Sequence, residues 1–541
     1  MTVSSLPNKI LSYLQFTLWL IVATISLSSS VLARIPAPDE VLILCNSKVP
    51  ESVKLANYYA SQRNIPQKNI LKLDVPNKPI ISRNEYTSTI QDPLRKHFND
   101  HYLWSLQSVG KGIKVPNRNK IRLIVTTLGL PYGISNFNPP PEKGKEAEKK
   151  PRGATNSAAL DSELACVGIH GLPIDGPSRN PYHKAKVPFT EHQKSIPYFL
   201  VGRIDGPSFQ TAKRLIDDAI ATEQQGLWGF CYLDKSLKSG AYKQGDDWLE
   251  EIESANWKLG IPTVMDGNRQ TYLSNYPMRD TAMYYGWYTT HVNGPFKNPD
   301  FKFKRGAIAI HLHSFSASKL RNPDTHWVGP LLERGAAATV GNVFEPYLAT
   351  THHFDLLHQG LLDGRCFAEA CAMALPILSW QNLSIGDPLY RPFACIDASG
   401  VVEDEDKAFR AMSLAFRAWK GDNERIEQKL TTAAIKTSDA RYYETLGLWN
   451  QYQSQANEAL GYYQFADKKF SYNSDKVRIA LHSANLYRKE KKNAAALQIL
   501  RDAYIGREKH SSGVTLKSMI DILDPPPPPP ATPRKEQDAG S

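Results

Sequence analysis

The chain has 541 residues, 41% of them hydrophobic, with 65 basic against 54 acidic side chains and a net charge of +11. Length and apolar content of this order bury a substantial core over roughly two to four domains, which excludes a disordered or fibrous chain. The charge is spread along the sequence apart from a loop cluster at 143–152, KGKEAEKKPR. No basic helix alternates with stacking aromatics, so this is a solvated surface and not a nucleic-acid interface.

In chain order, Lys9 precedes an apolar run from Ile10 to about Leu27 and the small-residue pattern Val31-Leu32-Ala33. This predicts a secretory signal over 1–33, cleaved after Ala33, and an exported protein of the periplasm or cell envelope. The alternative is an uncleaved anchor, because the run is at the short limit for a span; a membrane enters in no other way. The cysteines Cys45, Cys166, Cys231, Cys366, Cys371 and Cys395 show no C-x-x-C spacing and no dense framework. Neither a metal nor another cofactor is expected from them.

A trunk domain over 34–398 then repeats one grammar. A buried strand at Val41–Cys45, a helix from Glu51 with Val53, Ala56, Tyr59 and Ala60 on one face, and a strand at Ile70–Leu73 make the βαβ unit of a parallel sheet. Ile121–Thr126 is the next strand, followed by a polar insertion over 135–152 that reads as a surface loop. A helical piece around Leu160 is expected to expose Asp161 and Glu163. Strands at Tyr198–Ile204, Trp228–Tyr232, Thr263–Met265 and Met283–Trp287 lead into Asp205, Asp234, Asp266 and His291. Residues 306–347 form a β-α-β unit: a strand at Ala307–Leu312, a polar turn, a short helix ending near Gly335, and a strand at Ala336–Val340 opening into Asn342 and Glu345. Strand ends of this kind are where open α/β sheets place their crevices, so they are expected to converge on one edge. Gly386-Asp387-Pro388 reads as a turn that closes the domain.

From about 403 the pattern is helical. Ala408, Met412, Ala415, Phe416 and Trp419 form one stripe and Ile426, Leu430 and Ala434 the next. Two hairpins follow with matching small and aromatic residues, Tyr443 aligning with Ala480 at an offset of 37. They resemble tetratricopeptide repeats, which implies a protein partner; the extra length is expected in the connection at Phe470–Asn473. The helical domain is placed at 403–510, and the tail over 524–541, opening with Pro525–Pro530, is expected to stay without a fold of its own. The fold class is thus α/β, a mostly parallel sheet with helices on both faces, followed by an all-α helical-hairpin domain.

Three sets of groups carry candidate chemistry. Asp205, Asp234 and Asp266 follow strands, where a carboxylate holds a substrate or metal, or simply caps the next helix. His291, His311, His313, Ser314 and Ser316 come from adjacent strands: a serine hydroxyl needs a neighbouring base, and imidazole titrates close enough to neutrality to serve. Hydrogen-bonded core histidines are the equal alternative, and a metal held by His311, His313 and Asp205 is a weaker third. Asn342, Glu345, His352, His353 and Asp387 form the last set; adjacent His352 and His353 diverge, which argues against joint ligation.

Several of these segments, including 50–66, 203–219, 226–234, 284–296, 306–317, 326–348 and 378–393, are similar to an uncharacterised family of exported bacterial proteins that co-occur with exosortase, the membrane sorting transpeptidase. The resemblance spans about 40–392 and implies an envelope or export context without an activity. More faintly, the last third of the trunk resembles caspase and gingipain-like peptidases, where one strand ends in His-Gly and the next in the nucleophilic cysteine. Carried over, this puts His291 at the base position and Ser314 at the nucleophile position. His291 is not followed by glycine and no cysteine stands at 306–347, leaving a serine variant or a trunk without catalysis. The leading expectation is therefore a hydrolase-like protein with His291, Ser314, His311 and His313 as catalytic groups, Asp205, Asp234, Asp266, Asn342 and Glu345 around the substrate, and no cofactor. The rival is a non-catalytic ligand- or peptide-binding scaffold.

Overall fold

The computed structural model describes residues 35–137, 155–171, 176–193, 196–396 and 402–527. The segment expected to be a signal, most of the 135–152 insertion and the tail beyond Pro527 lie outside them. The trunk is built on ten strands, β1 Val41–Asn46, β2 Ile70–Leu73, β3 Leu123–Thr127, β4 Leu200–Ile204, β5 Phe230–Asp234, β6 Thr263–Met265, β7 Thr281–Trp287, β8 Ile308–Leu312, β9 Ala338–Asn342 and β10 Asn382–Gly386. Their spatial order is β6-β5-β7-β8-β9-β10-β4-β3-β1-β2. The mostly parallel sheet follows from the apolar runs. VLILC, IAIHL and ATVGN are buried throughout, as strands shielded on both faces must be.

One pairing departs from the parallel pattern. β10 runs antiparallel to β9, with Thr339 opposite Ile385, and parallel to β4, with Arg203 opposite Ile385. The sheet is therefore two parallel blocks of opposite direction, β5 to β9 and β1 to β4 with β10. Strand ends converge on one edge only within each block. Asp234, Asp266, His291, Ser314 and Asn342 leave from one edge, and Asp205 from the other, which corrects the expectation of a single crevice. The segment expected to end in a closing turn holds the strand that joins the two halves.

Helices α1 Pro50–Gln62, α2 Leu160–Leu164, α3 Phe209–Gln225, α4 Lys243–Lys258, α5 Val328–Glu333, α6 Phe354–Leu362 and α7 Phe367–Ala374 pack in the trunk, with further helices at Arg83–Tyr86 and Asp92–Asp100. Alternate residues of each strand serve opposite cores: Met283 and Tyr285 pack with Trp248, Leu249 and Phe354, whereas Tyr284 packs with Phe296 and Trp327. α2 does not expose its acids. Asp161 lies 2.6 Å from Arg203 and Glu163 lies 2.7 Å from Arg83, all four buried, because carboxylates inside a core persist where a guanidinium meets them.

The C-terminal helices are α8 Lys407–Ala418, α9 Asn423–Thr437, α10 Arg441–Tyr452, α11 Ala456–Lys469, α12 Asn473–Lys489, α13 Asn493–Tyr504 and α14 Gly513–Leu523. The offset of 37 recurs in their ends: α10 and α12 finish at Tyr452 and Lys489, and α11 and α13 start at Ala456 and Asn493. The additional residues lengthen the start of α12 and leave the preceding connection short. α14 extends the helical array beyond residue 510 and buries Leu516 and Met519 in the same core. Among the described residues no helix is long and apolar enough to cross a membrane.

Candidate functional site

β7 and β8 pair in register, Gly286 opposite His311 and Trp287 opposite Leu312, so the chain leaves both strands side by side. Beyond them lies a cavity of about 330 Å³ whose lining includes Tyr242, Trp287, Tyr288, His313, Ser314 and Tyr347. Trp287 is held by α4: its Nε1 donates to Asp246 Oδ1 at 2.7 Å, and the same carboxylate accepts from the Ser236 and Leu237 N–H groups at 2.9 and 2.8 Å. Gly245 makes that seat possible, since a Cβ there would lie 2.3 Å from the Trp287 ring. Tyr242 and Tyr288 pack around the indole with ring centres 6.1 and 5.8 Å from it. The opposite wall is the segment from Glu345 to Ala349.

Bulky residues of the loops at this end of the trunk occupy left-handed backbone: Tyr347 of the cavity wall at φ 65°, and Leu237, Phe315 and His326, which do not line the cavity, at 51°, 62° and 55°. Such conformations cost of order 1–3 kcal/mol each and gather where a site needs them. Phe315 and Tyr347 also expose much of their rings. The cavity is thus rimmed at Tyr347 by an aromatic ring that the fold has not covered.

The floor is polar and satisfied. Asn342 donates through Nδ2 to the His313 carbonyl at 3.1 Å, and its Oδ1 accepts from Thr351 Oγ1 at 3.0 Å and Asn382 Nδ2 at 2.8 Å. Ser316, buried behind it, accepts the Asn342 N–H at 3.0 Å and holds the turn. Glu345 stands exposed on the rim and makes no ion pair among the described residues.

The expected serine–histidine pair is not assembled. His291 is exposed, stacks against His326 with ring centres 4.9 Å apart, and its Nδ1 faces the His326 N–H at 3.4 Å. His313, not His291, stands beside Ser314 on the cavity wall. Its Nδ1 donates to the Ser314 carbonyl at 2.6 Å, leaving the lone pair on Nε2, 3.4 Å from Thr290 Oγ1. Burial lowers the pKa of His313, so the ring stays neutral. Among the described residues, Ser314 Oγ has no hydrogen bond to either imidazole.

His311 lies on the other face of β8 and is 1% exposed. Trp327 stacks on it at 3.5 Å and 11°. Its Nε2 accepts the Thr289 N–H at 3.1 Å, so Nδ1 carries the proton and donates to Tyr284 Oη at 2.9 Å, and Tyr284 in turn donates to Asp234 Oδ2 at 2.9 Å. Burial holds this imidazole well below its ordinary pKa. The chain of bonds anchors the loop that carries Thr290 and His291. His311 is therefore a positioning group placed away from the cavity.

The acids expected around a substrate are also spent internally. Asp205 is fully buried between Arg203 at 3.0 Å and Arg321 at 2.8 Å. Asp234 and Asp266 are buried at the edge beneath the helical region, where Asn268 folds back to Asp266 Oδ1. Burial raises the Asp266 pKa to about 7; burial and then the charge of Asp266 raise that of Asp234 well above its ordinary value too. Asp387 accepts from Tyr59 at 2.8 Å and Arg63 at 2.7 Å, far from the cavity lining. No group of three or more His, Cys, Asp or Glu is arranged to hold a metal ion among the described residues.

Sequence reasoning located His313, Ser314, Asn342 and Glu345 at this site and missed its aromatic walls. The dipeptide Trp287-Tyr288 directly after a buried strand was the available signal. Tyr242 and Tyr347 carry none, because they arrive from separate loops. No family model matches the chain and no curated protein matches it. A solved chain described as "Structure of Protease" is similar at 11% identity, covering 66% of this chain and 79% of its own, with a TM-score of 0.35.

Proposed function

We propose that this is an exported ligand- or peptide-binding protein of the cell envelope, whose trunk cavity receives an apolar or aromatic group and whose helical hairpins carry a protein partner. One observation carries the reading: the histidines and acids suited to catalysis are tied to one another or to the backbone, while an aromatic-walled cavity with a satisfied floor stands open. Pockets of a few hundred Å³ with apolar walls and few polar groups are what small ligands and side chains enter. The export setting rests on the signal-like segment at 1–33 and on the resemblance to exosortase-associated proteins. The partner rests on the tetratricopeptide-like pattern.

A peptide array screened for binding tests this, read by tryptophan fluorescence of the full chain and of Tyr347→Ala. Binding that weakens at least about tenfold in the variant supports the cavity, since losing one aromatic anchor commonly costs over 1 kcal/mol. A serine-hydrolase reading keeps one observation in its favour: Ser314 and His313 both line the cavity, and His313 Nε2 keeps its lone pair. In that case Ser314 Oγ attacks an acyl carbon and His313 Nε2 takes its proton. Stoichiometric fluorophosphonate labelling that disappears in Ser314→Ala would replace the binding reading with the catalytic one.

A further inference from the structure

Among the described residues that line the cavity, Glu345 carries the only charge, because burial keeps the His313 ring neutral. It stands among aromatic rings. Tyr242, Trp287 and Tyr288 form one cluster, with ring centres 5.4 Å apart for Tyr242 and Tyr288 and 5.8 Å for Trp287 and Tyr288. Tyr347 belongs to the same wall as Glu345, facing that cluster across the cavity.

We propose that this cavity binds a quaternary ammonium group, the trimethylammonium of a choline-type ligand, between the rings of Tyr242, Trp287, Tyr288 and Tyr347 and beside the carboxylate of Glu345. The inference rests on the binding reading of the same cavity. It narrows the group received to one with an apolar surface and a positive charge.

The face of an aromatic ring carries partial negative charge and attracts a cation, most strongly where several rings exclude water. The chain shows the attraction on its own side chain. Lys238, exposed and outside the lining, holds its ammonium 4.1 Å from the Tyr288 ring centre and 5.3 Å from that of Tyr242. Glu345 adds a full negative charge, with no ion pair of its own among the described residues to neutralise it. Burial and then the Tyr242 hydroxyl raise the Tyr288 pKa, and the Glu345 charge adds to the shift, so carboxylate and ring act on one space. The floor decides which cation. Asn342 Oδ1 already accepts from Thr351 and Asn382, and the Ser314 carbonyl accepts from His313. A primary ammonium or a guanidinium brings several N–H donors that would find these oxygens taken. A trimethylammonium brings none, and its methyl groups pack against the rings.

The full chain, Glu345→Gln and Tyr347→Leu are titrated by calorimetry with choline, with phosphocholine, and with dimethylbutanol, the neutral isostere in which carbon replaces the choline nitrogen. Glu345 is exposed, so its variant changes charge without opening the core. The proposal expects choline to bind at about 1 mM or tighter. The isostere should bind at least about fivefold more weakly, and that ratio should fall at least about threefold in each variant. Phosphocholine separates the sources of the group: tighter binding than choline assigns a phosphate-bearing headgroup reaching Lys238, and weaker binding a free choline-like ligand. An isostere that binds as well as choline overturns the inference and leaves an apolar cavity. A preference that survives both substitutions also overturns it, because the cation then sits elsewhere. So does absence of choline binding up to about 10 mM; peptide binding that still depends on Tyr347 would then show that the cavity reading stands without it.

Discussion

Asp246 shows how a single carboxylate builds the cavity wall. It accepts from two consecutive backbone N–H groups and from the Trp287 indole, so the loop before α4 and the end of β7 share one anchor. Asp246→Ala strands three donors. Each unsatisfied buried donor costs about 1–3 kcal/mol, and partial rehydration of the exposed loop lowers the sum. We expect a loss of about 2–4 kcal/mol in urea unfolding, together with loss of ligand response at the cavity. An unchanged midpoint would show that Trp287 is seated by packing alone. Asp266 poses the opposite problem, a buried carboxyl that makes no ion pair among the described residues, with Arg488 only lowering its pKa slightly against burial. Its pKa of about 7 in the folded protein, against 3.8 for the unperturbed group, means the folded state holds a proton that the unfolded chain releases. Its contribution to stability is present in full below about pH 4 and is lost as pH rises through about 7. Asp234 beside it shifts in the same direction. Asp266→Asn should therefore gain on the wild type as pH is raised from about 5 to about 8, read as the difference in melting temperature; a constant difference would place the proton elsewhere.

At the scale of elements, β10 decides the architecture. It meets β9 head to tail at Ala338 opposite Gly386, where the two blocks of opposite direction join. Gly386 has φ +149°, and a Cβ there would lie 2.9 Å from the Ala337 carbonyl oxygen and 3.0 Å from Ala338 Cβ. Gly386→Ala must push the halves apart, at a cost of about 1–3 kcal/mol typical of an overpacked core. A melting temperature lowered by several degrees with the fold retained is the expected result, and equality with wild type would show that the seam is soft. The same strand marks how far the sequence could be read. β1 and β8 are legible because runs of five apolar residues at 41–45 and four at 307–310 have no other home than a doubly covered strand. Asn382-Leu383-Ser384-Ile385-Gly386 has no such run. Its polar side chains are accommodated by Asn342, Thr351 and His352 from distant positions, so nothing local announces it. Its direction depends on the whole sheet, and with it the edge from which each strand-end acid leaves. The candidate site was legible in the same proportion. Polar residues just past β8 and β9 were visible, whereas walls assembled from three loops, with Tyr347 in left-handed backbone, required the fold.

For the whole molecule, the boundary near residue 400 separates two sequence patterns but not two cores. Phe230 and Tyr232 of β5 share one apolar cluster with Phe409, Met412 and Phe416 of α8. Phe230 meets Phe409 edge-to-face at 5.3 Å, and the Arg478 guanidinium of α12 lies 5.3 Å over the same ring. Arg478 is itself buried against Glu444 at 2.6 Å and Asp475 at 2.7 Å. The helical array thus serves as the cover for one face of the β5 to β9 block, the block that carries the cavity. Each aromatic uncovered by its removal forfeits about 1.5–3 kcal/mol of burial, and native domains hold only about 5–15 kcal/mol in total. A chain ending at Ile396 should therefore be aggregation-prone or lack a cooperative transition, and the full chain should unfold in a single calorimetric peak. Two well-separated peaks, with the first matching isolated helices 402–527, would instead make the array an independent module and would free the trunk's aromatic face for another occupant.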